Sequence, residues 1–153
     1  MKYSFLFLFI SLFVTTQIQA QSEDPDFTEV YRYAKKAAED NGYTFHGYMK
    51  LDEYKNSKTL VQNIGPRTEV KVMLITNADC NIYLGAWDDK TTNDPIGYTK
   101  AAVKNIGKNV KFQIVTFLTK DKAQDILFKM ELVAPCKDIM THNTRLMIHY
   151  KKY

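Results

Sequence analysis

The sequence predicts a mainly β protein, an antiparallel, jelly-roll-like β-sandwich preceded by one N-terminal amphipathic helix. Three observations lead to this prediction. Apolar residues recur at helical spacing over residues 27–40. From residue 43 onward, short segments are rich in β-branched and aromatic residues. Turn-forming residues separate these segments at intervals that are typical of sandwiches.

The first twenty residues have the layout of a secretory signal peptide. Lys2 precedes an apolar run over residues 5–14, and Ala20 supplies a small residue for cleavage. This run is too short for a spanning helix, which needs roughly 20 apolar residues. We therefore expect residues 1–20 to be removed. Residues 21–153 are then predicted to form a single secreted or periplasmic domain that has no membrane span.

The helix is predicted over residues 27–40. Asp26, followed by Glu29 three positions later, matches a capping box with Asp26 as the N-cap. Gly42 follows the helix, where a left-handed residue commonly ends it. The apolar stripe of the helix consists of Phe27, Val30, Tyr31, Ala34, Ala37 and Ala38. Its alanines would allow the helix to lie close to a sheet.

The rest of the chain, about residues 43–153, is predicted to be the β-sandwich. The predicted strands cover residues 43–51, 60–64, 69–76, 81–87, 96–103, 110–119, 125–134 and 144–150. Asn, Asp, Gly and Pro residues lie between them and mark the turns. Short strands at this spacing indicate an antiparallel sandwich or a jelly-roll-like barrel.

Cys80 and Cys136 are the two cysteines of the chain. An oxidising compartment favours a disulfide between them, and two free thiols are the alternative. If the strands alternate in direction, the strand over residues 125–134 finishes at the end where the strand over residues 81–87 begins. Both cysteines then lie at one end of the sandwich. Closing this loop would contribute roughly 4 kcal/mol in the chain-entropy model.

Residues 70–136 resemble the pre-peptidase C-terminal domain, a secreted bacterial β-sandwich. The resemblance lies in the apolar strand over residues 72–75, in the late strand over residues 110–117, and in a strand that ends in aspartate over residues 82–89. Members of this family are usually accessory binding or processing modules, so the resemblance implies a sandwich without catalytic function. The predicted N-terminal helix lies outside the family pattern, and no protease domain precedes this segment.

A polar loop follows the predicted strand over residues 81–87. It contains Asp88, Asp89, Asn93 and Asp94. Oxygen ligands clustered on a loop are what Ca²⁺ requires, which makes these residues a candidate calcium site. Their spacing does not match an EF-hand loop. Asp and Asn are also ordinary turn formers, and this simpler role is the favoured interpretation.

Trp87, the single tryptophan, adjoins this loop, and Tyr83 and Tyr98 are close in sequence. An exposed aromatic side chain beside polar groups is typical of a glycan-binding surface. Strand alternation separates Tyr83 and Trp87 from Leu84, but it leaves open which of the two faces is the core. Burial is the more common fate of aromatic residues, so a core position for Trp87 is the favoured alternative.

Charge and motifs narrow the range of functions. The net charge is +4, and the lysines are dispersed among acidic residues, unlike the basic cluster of a nucleic-acid-binding surface. No nucleophile, phosphate-binding or zinc motif is present. His149 lies in a predicted strand, where we expect a surface or hydrogen-bonded position. We therefore expect a secreted, non-catalytic binding module for a protein or glycan surface. The alternative is a small hydrolase or inhibitor-type protein that uses the loop over residues 88–94.

Overall fold

The computed structural model describes residues 25–52, 55–88, 95–98, 104–106, 110–134, 136 and 142–153. The predicted signal peptide lies outside these residues. In chain order, the described elements are α1 (Pro25–Asp40), β1 (Thr44–Lys50), β2 (Ser57–Ile64), β3 (Thr68–Thr76), β4 (Asn81–Asp88), β5 (Pro95–Tyr98), β6 (Lys104–Ile106), β7 (Val110–Leu118), β8 (Gln124–Val133) and β9 (Thr144–Lys152).

The strands form two antiparallel sheets. One has five strands in the order β1-β9-β3-β7-β6, and the other has four in the order β2-β8-β4-β5. The chain alternates between the sheets from β1 to β4, and its last strand returns to pair with both β1 and β3. Apart from the added strand β6, this is the strand order of a double-sheet jelly roll. The predicted fold class is therefore confirmed.

The main hydrophobic core lies between the two sheets. Every second residue of a strand contributes to it, as the pleat of a strand requires. Val72 and Leu74 of β3 and Ile148 of β9 meet Leu84 and Phe128 of the opposite sheet within one cluster. Complete burial of such a side chain stabilises the fold by roughly 1.5–3 kcal/mol relative to exposure.

Helix α1 covers the outer face of the five-stranded sheet. Phe27, Ala34 and Ala38 form a second core with Met73 and Met147 of the central strands. The helix ends before Gly42, whose φ of 81° is the left-handed conformation expected there. The helix predicted over residues 27–40 is thus confirmed. The structure describes this helix from Pro25 onward, with Asp26 in its first turn.

One predicted strand lies only partly within the described residues. Residues 96–103 were expected to form a single strand, and in the described part of this range β5 covers residues 95–98 and pairs with β4. The next described strand, β6, begins at Lys104 and pairs with β7 in the other sheet. No strand was predicted at residues 104–106, because local composition does not show that this short segment pairs with β7. Residues 99–103 lie outside the described part.

Cys80 and Cys136 form a disulfide at one end of the four-stranded sheet. Their Cα atoms are 4.3 Å apart. Asn81, which follows Cys80, pairs with Val133 near the end of β8. Antiparallel pairing of β4 and β8 therefore brings the two cysteines together, which confirms both the predicted disulfide and the argument from strand direction. In the part of the chain that the structure describes, no helix is long and apolar enough to cross a membrane.

Candidate functional site

Strand β4 determines which face of the four-stranded sheet is available to a ligand. Ile82, Leu84 and Ala86 point into the core between the sheets. Because side chains alternate along a strand, Tyr83 and Trp87 lie on the outer face, where both are half-buried. The interpretation of Trp87 as a core residue is therefore wrong. Its outward position is the alternative that the sequence left open.

The indole of Trp87 lies directly against the backbone of its own strand. A Cβ atom at Gly85 would be 2.2 Å from Cη2 and 2.6 Å from Cζ3 of Trp87, so a larger residue would displace the ring. The ring of Tyr83 is 6.2 Å from that of Trp87 between centroids, with an interplanar angle of 36°. Gly85 was not singled out from the sequence, although a glycine two residues before a tryptophan in a strand was the available signal.

Polar side chains surround these aromatic rings on the same face. Lys129 pairs in register with Gly85, and its Nζ atom is 2.7 Å from Glu131. On the neighbouring strands, Asn63 donates a hydrogen bond of 2.6 Å to Asp125. We call this surface the open face, and it consists of Val61, Asn63, Tyr83, Trp87, Asp125, Leu127, Lys129 and Glu131.

Tyr98, the third predicted ligand-binding residue, belongs to the adjacent strand. Its Cα atom is the register partner of Gly85 across the β4–β5 pair. The backbone of β5 therefore lies next to the open face. The side chain of Tyr98 lies outside what the structure describes, so its role stays a prediction.

Asp88 is the one predicted metal ligand within the described residues. Gln124 donates a hydrogen bond of 3.1 Å to its Oδ2 atom, and Lys120 Nζ is 3.9 Å from the same oxygen. Asp89, Asn93 and Asp94 lie outside the described residues, so the calcium site stays a prediction. Within the described ranges, no group of three acidic, histidine or cysteine side chains has the geometry to hold a metal ion.

A polar cleft of about 570 Å³ lies where β4 ends, beside the open face. Three carboxylates line it, those of Asp88, Asp121 and Asp125. Each already has a partner, since Arg67 is 2.7 Å from Asp121 and Asn63 donates to Asp125. Lysines also line the cleft, so the charges are mixed. Such a lining matches a neutral, hydroxyl-rich ligand better than a strongly charged one.

Comparison with protein-family models, with curated proteins and with solved structures finds no match to this chain. The resemblance of residues 70–136 to the pre-peptidase C-terminal domain stays a prediction.

Proposed function

We propose that this chain is an exported, non-catalytic binding module that holds a glycan on the open face, with Trp87 as the central contact. The observation that carries the proposal is the outward, half-buried indole of Trp87, seated on Gly85 and flanked by Tyr83. An indole fixed in this way presents a rigid apolar surface and loses little conformational entropy when a ligand binds. The C–H face of a pyranose ring is a complementary apolar surface.

The polar part of the open face supports a glycan in preference to a protein partner. Lys129 and Glu131 form an ion pair close to Gly85, and Asn63 is hydrogen-bonded to Asp125. The centres of protein–protein interfaces are depleted in charged residues. Sugar hydroxyls, in contrast, both donate and accept hydrogen bonds and can join such pairs without leaving a charge unpaired.

The cleft at the edge of the open face also supports a glycan as the ligand. The cleft beside Asp88 adjoins the aromatic pair along β4. A glycan of several residues could place one ring on Trp87 and extend the next into this cleft. The predicted signal peptide and the disulfide between Cys80 and Cys136 agree with a module that works outside the cytoplasm.

The test measures the fluorescence of Trp87, the single tryptophan, during titration with oligosaccharides. The probes are cellohexaose, xylohexaose and chitohexaose. At least one is expected to shift or quench the emission in a saturable way. Isothermal titration calorimetry with that sugar then compares wild type with Trp87→Ala. Because stacking contributes only when the ring is present, we expect roughly a tenfold or greater loss of affinity, which corresponds to about 1.4 kcal/mol.

Tyr33→Ala is the matched control, because Tyr33 is an aromatic residue that is 72% exposed on the helix. This variant should bind as tightly as wild type. Thermal melts of both variants check that the fold is retained. The proposal is wrong if none of the three sugars changes the fluorescence, or if a folded Trp87→Ala protein keeps the wild-type affinity.

A further inference from the structure

The edge strands of the two sheets differ in how well they are protected from pairing with a further strand. Among the described residues, β1 and β6 are the edges of the five-stranded sheet, and β2 and β5 are the edges of the four-stranded sheet. Strand β1 has an irregularity between Phe45 and Gly47, β5 begins with Pro95, and β6 has three residues. Bulges, prolines and short length all protect an edge. Strand β2 has none of these features, because its eight residues pair with β8 without a shift in register.

The free edge of β2 consists of the peptide groups that point away from β8. The backbone N–H of Leu132 donates to the carbonyl of Asn56 at 2.6 Å, so Asn56 and every second residue after it direct their peptide groups to β8. The residues between them direct theirs to the free edge, and these are Ser57, Thr59, Val61 and Asn63. In the part of the chain that the structure describes, no strand or loop hydrogen-bonds to these peptide groups. An added strand would therefore find a row of backbone donors and acceptors.

The charge that could protect this edge is directed elsewhere. Lys58 is the single charged residue of β2. Its Nζ atom donates to the carbonyl of Lys50 on β1 at 2.9 Å and is 3.3 Å from Oδ2 of Asp52. Edge lysines discourage pairing when their charge projects along the free edge. Here the ammonium group is held against β1 and its following loop, so the edge of β2 is uncharged.

Three apolar side chains form a row across the open face, and this row ends at the free edge. Trp87 is the register partner of Leu127, and Leu127 is the register partner of Val61. We call these three residues the apolar row. Val61 is 47% exposed, because no further strand continues the row beyond β2 among the described residues. Apolar cross-strand neighbours stabilise a sheet, so a strand that placed an apolar residue beside Val61 would be favoured.

We propose that two copies of this chain pair through β2 in antiparallel orientation, about a two-fold axis at Val61. Val61 then lies opposite Val61 of the second copy, and the apolar row continues into the apolar row of that copy. Thr59 lies opposite Asn63 of the second copy, and Lys58 lies opposite Ile64. No two charges face each other in this register, and each outward residue meets an outward residue. The strand is thus complementary to itself, which favours a second copy over an unrelated peptide.

This pairing joins the two open faces into one surface, but it does not require a glycan. The inference is therefore independent of the function proposed above, and the experiment is carried out without sugar.

Sedimentation equilibrium of the mature protein from about 10 μM to about 1 mM tests the pairing. One strand per copy buries less than the roughly 1,200–2,000 Å² of a stable interface, so we expect reversible association with a dissociation constant of about 100 μM. The average mass should rise with concentration toward that of a dimer. A mass that stays at the monomer value overturns the proposal. Growth beyond the dimer also overturns it, because a two-fold interface closes on itself.

Val61→Lys places two like charges opposite each other at the two-fold axis. We expect roughly tenfold or greater weakening of the dimer, because like charges directly opposite each other destabilise a strand pair. Val133→Lys is the matched control, since Val133 is a valine of the same sheet that is 41% exposed but lies on β8. This variant should form dimers as wild type does. Thermal melts check that both variants are folded, and a folded Val61→Lys protein that keeps the wild-type dissociation constant overturns the proposal.

Cysteine cross-linking tests the register. A mixture of Thr59→Cys and Asn63→Cys proteins should form a cross-linked dimer on mild oxidation, measured by non-reducing electrophoresis. Thr59→Cys alone should not, because the two copies of residue 59 would be about 13 Å apart along the strands. Cross-linking of Thr59→Cys alone as readily as of the mixture would overturn the two-fold axis at Val61.

Discussion

The two sheets differ in what covers their outer faces. On the five-stranded sheet, α1 packs Phe27 and Ala34 against Met73 and Met147, and the central strands are buried on both sides. On the four-stranded sheet, β8 alternates buried and half-exposed residues along nearly its whole length. Among the described residues, one outer face therefore belongs to a second core, and the other is lined by half-exposed side chains.

The residue patterns of the strands differ in the same way. Strand β3 carries an uninterrupted apolar run from Val72 to Ile75, and all of these residues are buried. In β8, apolar Phe128 and Met130 are followed by polar Lys129 and Glu131. An antiparallel strand with one solvated face shows alternation, whereas a strand covered on both faces does not. The pattern thus reports how many faces of a strand are covered.

The largest effect is expected from the disulfide at the end of the four-stranded sheet. In the double variant Cys80→Ala with Cys136→Ala, the unfolded chain regains the entropy of a loop with a sequence separation of 56. We expect the free energy of unfolding to fall by about 4 kcal/mol. Urea denaturation of the oxidised wild type and of the variant measures this change. Equal urea midpoints would show that the link does not constrain the unfolded chain.

The next largest loss of stability is expected between α1 and the five-stranded sheet that it covers. Phe27→Ala removes a ring that is 0% exposed between α1 and the sheet. We expect a loss of about 3 kcal/mol in the free energy of unfolding, near the lower end for such truncations. Tyr33→Ala on the same helix is the control and should change stability little, because that ring is 72% exposed. Similar losses in the two variants would mean that the helix is not docked through Phe27.

A smaller effect is expected on the open face. In Gly85→Ala, the new Cβ would lie 2.2 Å from the Trp87 ring, which must move. We expect a loss of about 1–2 kcal/mol and a changed emission maximum of the single tryptophan. Gly47→Ala is the matched control in another strand, because no atom lies within 4 Å of its Cβ position. Unchanged emission in Gly85→Ala would show that the indole does not rest on Gly85.

The smallest expected effect is a pH dependence of the free energy of unfolding, which arises from His149 on the face that α1 covers. His149 is fully buried, and neither of its ring nitrogens has a hydrogen-bond partner among the described residues. Desolvation lowers its pKa, Lys71 and Lys35 lower it further, and Glu39 opposes them. The unfolded state therefore binds the proton more readily. This contribution to stability is complete above the unfolded pKa of about 6.5 and is lost as the pH falls toward the folded value.

Urea denaturation at pH 7.5 and pH 5 checks this prediction. Wild type should lose more stability on acidification than His149→Leu, which lacks the titrating ring. His46→Gln removes an exposed histidine and should keep the wild-type difference between the two pH values. If His149→Leu and wild type lose the same stability, His149 does not account for the pH dependence.

Much of the fold could be predicted because the strand and helix patterns are local. The spacing of the apolar residues in α1 predicts a helix, and the alternation of apolar and polar residues in β8 predicts a strand. Both patterns can be recognised within a few residues. The placement of β5 in one sheet and of β6 in the other could not be predicted, because it depends on which sheet accepts each strand. The position of His149 was also predicted wrongly. It lies on β9, which has α1 above it, and a surface or hydrogen-bonded position was expected.

The candidate sites were only partly predictable. Trp87 and Tyr83 were identified, but both faces of β4 carry apolar residues, so the sequence could not show which face is the core. The pairing of β4 with β8 decides it.

The position of β9 has a consequence for how the molecule is made. This strand, Thr144–Lys152, lies between β1 and β3, so it joins the first strand of the five-stranded sheet to the rest. A ribosome delivers β1 and β3 long before β9. Until β9 emerges, β1 has no neighbour in the sheet and β3 lacks one of its two partners. During synthesis, the five-stranded sheet therefore cannot form completely until β9 has left the ribosome.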